Sequence, residues 1–242
     1  MRGTMINLLV LAGGLGTRLR DVVSNVPKPM APIGRIPFLQ LLLDGWLAEH
    51  RLKKIYMSVG YKHEVFVDFF NDAYSGVEIQ YFIEKTPLGT GGAAVHAIRK
   101  IKAADDQNPL ICINGDTYLV PDTSEIDRII GSIETFDFCL GVSRKDNRAG
   151  RYTPIRGGCH EDVFTGVIGI GKNISDKITC ISDTNQPSPF SLEELIFGIN
   201  RKAQFSWNTC DLKDEFLDIG IPEDYLNAQS FINEYQNKGR TR

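Results

Sequence analysis

The sequence lacks several features that would place it in a common class of protein. No apolar run approaches the roughly 20 residues that a membrane-spanning helix needs, and Met1–Thr4 is too short to be a signal peptide. The formal net charge is −3 and no basic block stands out, which argues against a nucleic-acid-binding protein. We therefore expect a cytoplasmic protein with neither a membrane nor a nucleic acid as its partner.

Cysteine is scarce and scattered along the chain. There are five cysteines, an odd number, and no two of them form a Cys-x-x-Cys pair. This pattern fits reduced thiols in a cytosol better than a disulfide framework. Cys159 and His160 are adjacent, which is a poor spacing for two ligands of one zinc ion, so we expect no zinc site there.

The most informative segment is a glycine-rich loop that follows the apolar run Ile6–Leu11. The run predicts a short buried strand. Glycines at positions 13, 14 and 16 let the backbone turn tightly and bring its N–H groups close to a ligand, where they can bind an anion. Arg18 adds a charged, planar group that suits phosphate. The alternative is an ordinary glycine turn with a surface arginine.

The loop differs from two familiar phosphate-binding motifs. A Walker loop has Lys-Ser/Thr after its last glycine, whereas Gly16 is followed by Thr17. A dinucleotide fingerprint needs a third glycine where this chain has Leu19. Beyond the loop, prolines on both sides of Lys28 keep its backbone out of a helix, which predicts a fixed charge instead of a solvated loop lysine.

The rest of the chain alternates between strand and helix patterns. The first eighty residues predict helices at 37–50 and 63–71 and strands at 54–59 and 77–82. This alternation is typical of an α/β fold in which helices flank a parallel sheet and ligands bind beyond the carboxyl ends of the strands. Further along we predict strands at 109–114 and 136–142 and helices at 93–100, 123–133 (capped by Thr123 or Ser124), 191–197 and from 222 onward.

Two motifs together resemble the signature of the sugar-1-phosphate nucleotidylyltransferases: Gly-Gly-x-Gly-Thr-Arg at 13–18 and Pro-Lys-Pro at 27–29. Within that family, the first half of the chain is most similar to the bacterial D-glycero-alpha-D-manno-heptose 1-phosphate guanylyltransferases. The resemblance implies a Rossmann-like, mixed and mostly parallel central sheet of the nucleotide-diphospho-sugar transferase type. It also implies a single domain over 1–242, with a nucleotide-binding half at 5–120 and a sugar-phosphate-binding half at 121–235.

The resemblance also implies which residues contact the nucleotide. In the family, the segment that begins at Glu84 holds the base, and Glu84 is placed to accept hydrogen bonds from guanine N–H groups. Without the resemblance, this segment is typical of an ordinary strand-to-helix connection. Arg18 and Lys28 would be catalytic residues that act on the phosphates. The implied nucleotide contacts are Leu11, Ala12, Gly13, Gly14, Gly16, Thr17, Glu84, Pro87, Gly89 and Thr90.

Two aspartates are the expected metal ligands. Asp116 follows the predicted strand at 109–114, where a carboxylate is well placed for a divalent cation, although a turn-forming aspartate is a common alternative. Asp116, in Asn-Gly-Asp, and Asp218 match two metal-binding segments of the family. The resemblance therefore implies that Asp116 and Asp218 hold Mg²⁺.

The match to the family thins in the middle of the chain. Arg151 and Tyr152 resemble part of the family's Arg-Tyr-Gly motif, and we predict that they bind the sugar phosphate, although threonine replaces the glycine. The family's Glu-Lys-Pro, whose lysine holds the sugar phosphate, is not visible between 155 and 163. Arg156 and Lys172 are further cations that could take its place.

The sequence therefore predicts an enzyme that transfers a nucleoside monophosphate, GMP as first choice, from an NTP to a sugar 1-phosphate of the heptose or mannose type. The product would be a nucleotide-sugar for surface polysaccharide synthesis. A thymidylyl- or uridylyltransferase of the same fold remains open, as does a catalytically silent nucleotide-sugar-binding regulator. The absence of Asp-x-Asp argues against a glycosyltransferase. An exposed apolar helix face would support a homodimer.

Overall fold

The structure is a computed structural model, and it describes residues 4–19, 22–104, 107–143, 154–155, 162–179, 189–197, 204–213 and 215–239. Its strands are β1 (Ile6–Leu11), β2 (Pro32–Ile33), β3 (Ile36–Pro37), β4 (Leu52–Val59), β5 (Ala73–Tyr74), β6 (Val77–Ile83), β7 (Leu110–Asn114), β8 (Thr117–Tyr118), β9 (Phe138–Ser143), β10 (Pro154–Ile155), β11 (Asp162–Ile170), β12 (Trp207–Asp211) and β13 (Leu217–Asp218). Its α-helices are α1 (Phe38–Glu49), α2 (His63–Phe70), α3 (Gly89–Ala103), α4 (Thr123–Ser132), α5 (Ile174–Thr179), α6 (Leu192–Phe197) and α7 (Pro222–Gly239).

One mixed sheet runs through the described residues in the order β12-β9-β11-β7-β1-β4-β6-β5, with β10 beside β11. Strands β7, β1, β4 and β6 are parallel to their neighbours in this group. β11 runs antiparallel to both β7 and β9, and β12 is parallel to β9. The prediction of a mixed, mostly parallel sheet flanked by helices is confirmed.

The central strand β1 is buried on both faces, because its side chains point alternately to opposite sides of the sheet. Leu8 and Val10 belong to one hydrophobic cluster with residues of α1 such as Trp46. Leu9 belongs to a second cluster with residues of α3 such as Ile98. The continuous apolar run in the sequence therefore reflects a strand between two layers of helices. Among the described helices, none is long and apolar enough to cross a membrane.

The order of the strands explains where a ligand can bind. From β1 the chain adds β4 and β6 on one side, then returns to place β7 on the other side of β1. In open α/β sheets, ligands bind at such a reversal, in the crevice beyond the carboxyl ends of the two strands. Here those ends are Leu11, which leads into the glycine loop, and Asn114, which leads to Asp116.

Two local predictions were wrong. The N-cap of α4 is Asp122, not Thr123 or Ser124: its side chain accepts a hydrogen bond from Glu125 N, and the Glu125 side chain accepts one from Asp122 N. The helix predicted at 93–100 begins four residues earlier, at Gly89. Intrinsic propensity disfavours glycine in a helix, but contacts with a distant part of the chain stabilise this first turn, as described below.

The strand β11 was not predicted, although it lies between β7 and β9. Gly166 in its middle has a φ of +84°, and the register with β9 shifts between Phe164 and Ile168. A glycine bulge of this kind interrupts the pattern by which a strand is recognised in a sequence.

Candidate active site

A cavity of about 500 Å³ lies at the carboxyl ends of β1 and β7. It brings together all the residues that were expected to contact the nucleotide, to act on the phosphates or to hold the metal: Leu11, Ala12, Gly13, Gly14, Gly16, Thr17, Arg18, Lys28, Glu84, Pro87, Gly89, Thr90, Asp116 and Asp218. The expected sugar-phosphate residues Arg151 and Tyr152 lie outside the described residues. The structure thus groups the candidate residues in one place, while their roles stay predictions.

The glycine loop approaches two functional side chains more closely than another residue type would allow. A Cβ added to Gly13 would lie 2.3 Å from Glu84 Oε1. Gly16 has a φ of +58°, and a Cβ there would lie 3.0 Å from the Cβ of Lys28. Arg18 follows in a short 3₁₀ turn, and its exposed side chain lies on the cavity wall. The glycines therefore let the loop pack against Glu84 and Lys28.

Lys28 bridges the two expected metal ligands. Its Nζ lies 2.7 Å from Asp116 Oδ2 and 3.2 Å from Asp218 Oδ1. Burial by itself would lower the pKa of Lys28, but the charges of Asp116 and Asp218 more than offset it, and the pKa is raised. Burial and the neighbouring charge of Asp116 raise the pKa of Asp218, although Lys28 acts in the opposite direction.

A short antiparallel strand pair brings these aspartates together from distant parts of the sequence. In it, Asp218 of β13 lies opposite Thr117 of β8. Ile219 N also donates a hydrogen bond to Asp116 O, at 3.0 Å. A Cβ on Gly220 would lie only 2.8 Å from Asp218 Oδ1. The backbone around both carboxylates is therefore fixed by hydrogen bonds and by close packing.

The carboxylate pair has the chemistry of a divalent-cation site. Asp116 and Asp218 are each 31% exposed at the side chain and line the cavity, and the ammonium of Lys28 already contacts both. In the part of the chain that the structure describes, no group of three or more His, Cys, Asp or Glu side chains could hold a metal. Two carboxylates nevertheless suit Mg²⁺, which retains several waters and commonly binds through one or two carboxylates together with substrate phosphates.

Glu84 occupies a different wall of the cavity, directly after β6. Its Oε1 accepts a hydrogen bond from Ser58 Oγ at 3.1 Å, and its Oε2 accepts one from Leu88 N at 3.2 Å. Burial raises the pKa of Glu84, and the hydrogen bonds from Leu88 and Ser58 only partly oppose that rise. The Glu84 carboxylate is thus fixed in position, and its oxygens keep lone pairs that can accept hydrogen bonds from N–H donors of a ligand.

A comparison with known proteins identifies the family. The family profile described as Nucleotidyl transferase matches residues 7–135, more than half of the chain. The chain belongs to the nucleotidyl transferase family.

Several relatives match this nucleotidyl transferase over nearly its whole length. The D-glycero-alpha-D-manno-heptose 1-phosphate guanylyltransferase of Campylobacter jejuni is 34% identical over 228 residues, which are 90% of this chain and 96% of that protein. The enzyme of the same name from Aneurinibacillus thermoaerophilus is 32% identical, over 94% of this chain and 98% of that protein. The crystal structure of HddC from Yersinia pseudotuberculosis complexed with GMP-PN has a TM-score of 0.70 and 28% identity, and it covers 93% of this chain and 99% of that one. These matches confirm the resemblance.

The cavity is also lined by residues that were not predicted from the sequence to belong to the site. Asn114 ends β7, and its Oδ1 is buried with no hydrogen-bond partner among the described residues. Its position at a strand end beside Asp116 was a signal that could have identified it. Pro189 also lines the cavity, but no local pattern in the sequence connects it to residues a hundred positions earlier. The other additions are Leu15, Pro29, Ala93 and Gly220.

Proposed function

We propose that this chain transfers GMP from GTP to a sugar 1-phosphate of the heptose or mannose type, forming a nucleotide-sugar for surface polysaccharide synthesis and releasing pyrophosphate. One observation carries the proposal: the glycine loop, Lys28 and the Asp116–Asp218 pair meet in a single cavity with Glu84 on another wall. The names of the relatives, which specify a guanylyltransferase for heptose 1-phosphate, support the choice of base and sugar.

The charges of the reactants determine what the protein must supply. An oxygen of the sugar phosphate attacks the α-phosphorus of GTP in line, and the bond to pyrophosphate breaks. Both reactants are anions, so positioning and charge neutralisation provide most of the catalysis. The amides of residues 13–17 would hold the triphosphate, and Arg18 would neutralise the leaving pyrophosphate. Lys28 would draw the attacking oxygen and the α-phosphate together, so no side chain has to act as nucleophile.

Asp116 and Asp218 would hold Mg²⁺ during this reaction. When bound, the ion would neutralise phosphate charge. Lys28 carries its ammonium on a flexible four-carbon stem, so it is able to leave the aspartates and contact a phosphate oxygen. Its ion pairs support this role because they place the ammonium between the two carboxylates, at the wall of the same cavity.

Glu84 is the proposed base-selecting residue. Guanine presents N–H donors at N1 and N2, and a carboxylate can accept both. A base without those donors would leave the partly buried carboxylate with fewer hydrogen bonds, which is a strong source of discrimination. On the acceptor side, Arg151 and Tyr152 remain the proposed contacts to the sugar phosphate.

We also propose one functional domain over 1–242, with its nucleotide half at 5–120 and its sugar-phosphate half at 121–235. The continuous sheet supports this division, since β7 of the first half pairs with β11 of the second. A cytoplasmic location is supported by the described cysteines, which are buried free thiols. A homodimer stays a prediction that sedimentation analysis would test.

The function is tested by pyrophosphate release in the presence of Mg²⁺. The assay would pair each of ATP, GTP, CTP, UTP and dTTP with sugar 1-phosphates that include mannose 1-phosphate and D-glycero-alpha-D-manno-heptose 1-phosphate. We expect a signal with GTP and one of these sugars, and none from an Asp116→Asn, Asp218→Asn double variant. Turnover with dTTP or UTP in place of GTP would reassign the base. Nucleotide binding without turnover, on a panel that a known enzyme converts, would favour the regulator.

A further inference from the structure

The first turn of α3 and the chain around the start of α6 are joined by a set of hydrogen bonds. Phe190 N donates to Leu88 O at 3.1 Å, and Gly91 N donates to Phe190 O at 2.9 Å. Leu192 N, at the start of α6, donates to Thr90 Oγ1 at 3.0 Å. The N-cap residue of α3 makes no capping hydrogen bond with its side chain. The carbonyl of Phe190 takes that role, and Thr90 does the same for α6.

The glycines of this turn make room for protein, not only for a ligand. A Cβ on Gly89 would lie 2.3 Å from Phe190 O, and one on Gly91 would lie 2.3 Å from Ser191 O and 2.4 Å from the Phe190 ring. The ring also lies under Gly92, 3.3 Å from the place of its Cβ. Gly89, which was expected to contact the nucleotide, and its neighbours Gly91 and Gly92 therefore permit close approach of residues 189–192, which we call the clasp.

The clasp is itself fixed by local structure. Ser191 Oγ accepts a hydrogen bond from Glu194 N, and Glu194 Oε2 accepts one from Ser191 N, which together form a capping box for α6. Leu195 of α6 is fully buried in the same hydrophobic cluster as Ile98 of α3. The clasp thus connects a well-anchored helix to the turn that carries part of the cavity wall.

Three of the joined residues line the cavity. Pro189 of the clasp and Gly89 and Thr90 of the turn all face it. The turn begins one residue after Leu88, whose amide donates a hydrogen bond to the Glu84 carboxylate. Because Thr90 Oγ1 accepts from Leu192, its hydroxyl proton is left to be donated elsewhere, which orients that donor. A shift of the clasp would therefore move Gly89 and Thr90, which both line the cavity.

We propose that Phe190 is a positioning residue that sets base selection by holding the 84–92 segment in place through the clasp. This inference rests on the proposed guanylyltransferase function. The Phe190 ring fills the space beneath the glycines, where no side chain of the turn itself can pack. Lys28, Asp116 and Asp218 are held by other elements, β8 and β13 among them. Loss of the ring should therefore weaken nucleotide binding and selection more than the chemical step.

The experiment compares Phe190→Ala with Phe197→Ala. Phe197 is also a half-buried aromatic residue beside the same cluster, but it lies at the far end of α6 and packs against the Trp207 ring, with centroids 5.3 Å apart. For Phe190→Ala we expect KM for GTP to rise about tenfold or more, kcat to change less than about threefold, and the preference for GTP over ATP to fall about tenfold. Phe197→Ala should lower the melting temperature without changing either nucleotide parameter.

Two further measurements make the result decisive. Calorimetric titration with GTP, without any sugar phosphate, should show the same loss of affinity in Phe190→Ala, and Phe190→Leu should recover much of it by refilling the space. Equal GTP affinity and equal base preference in the two alanine variants would overturn the proposal, as would a fall in kcat alone. If the wild type binds GTP but does not release pyrophosphate, the proposed function fails while the titration still tests the clasp.

Discussion

Replacement of Lys28 by methionine tests the centre of the site most directly. Methionine keeps an unbranched side chain of similar length and removes the charge. In the wild type, Lys28 Nζ lies within 3.2 Å of an oxygen of each aspartate. The substitution therefore removes both the proposed contact to the α-phosphate and the cation that now separates Asp116 from Asp218.

The expected effects on turnover and on stability differ in size. Loss of a single donor that acts in the transition state lowers turnover by about a hundredfold to a thousandfold, so Lys28→Met should lose at least about a hundredfold in kcat. The free energy of unfolding should fall by about 1 to 3 kcal/mol, between the values for an exposed and a buried ion pair, because the aspartates are partly exposed. Mg²⁺ should restore stability but not turnover, since it replaces only the charge between the carboxylates.

Pyrophosphate release and thermal melting, each with and without Mg²⁺, would measure these effects. Lys54→Met is the matched control, because Lys54 Nζ also forms an ion pair, with Glu78 Oε1 at 2.7 Å. Lys54 lies near the start of β4, at the opposite end of the sheet from the glycine loop. We expect wild-type turnover from the control. Near-normal turnover in Lys28→Met, or an equal loss in both variants, would refute the assigned role of Lys28.

Three other predictions follow from the charged groups. Glu84→Gln should lower the preference for GTP about tenfold or more. It should not lower the melting temperature at neutral pH, because burial raises the pKa of Glu84 and so disfavours its ionised form. Steady-state kinetics with different nucleotides and thermal melting would measure the two effects. Asp116→Asn should abolish Mg²⁺-dependent turnover and the rise in melting temperature that Mg²⁺ causes. Burial opposes ionisation of Asp137, but its contacts, Lys177 first, outweigh that effect and lower its pKa. Asp137→Asn should therefore lower the free energy of unfolding by about 2 kcal/mol at pH 7. Denaturation curves should show this difference from the wild type shrinking as the pH falls below the usual pKa of a carboxyl group and through the lowered pKa of Asp137.

The parts of the fold that were predicted from the sequence are those with local signals. The apolar run of β1 and the periodic pattern of α1 identify elements that pack on their neighbours over their whole length. The glycine loop was recognised by its residue types, and Asp116 by its position at a strand end. These signals depend on residues within a few positions of each other.

The parts that were missed depend on contacts between distant segments. The helix start at Gly89 is unfavourable by local propensity, and it is made stable by hydrogen bonds to Phe190 and Leu192. The pairing that places Asp218 beside Asp116 needs two strands of only two residues each, too short for any periodic pattern. The cap at Asp122 was missed because three consecutive residues, Asp122 to Ser124, are all good capping types.

Two partly buried carboxylates of the cavity, Glu84 and Asp218, would each be stabilised by a ligand. Burial raises the pKa of both Glu84 and Asp218, which means that ionising either carboxyl group costs more free energy here than it does in water. A guanine base would bring N–H donors to the first, and Mg²⁺ would bring positive charge to the second. The desolvation that makes ionisation costly therefore strengthens the interaction of each carboxylate with its ligand. A charge in a poorly solvated site gains more from a partner than a charge in water does. Glu84→Gln should consequently bind GTP more weakly without losing the stability that most buried substitutions lose.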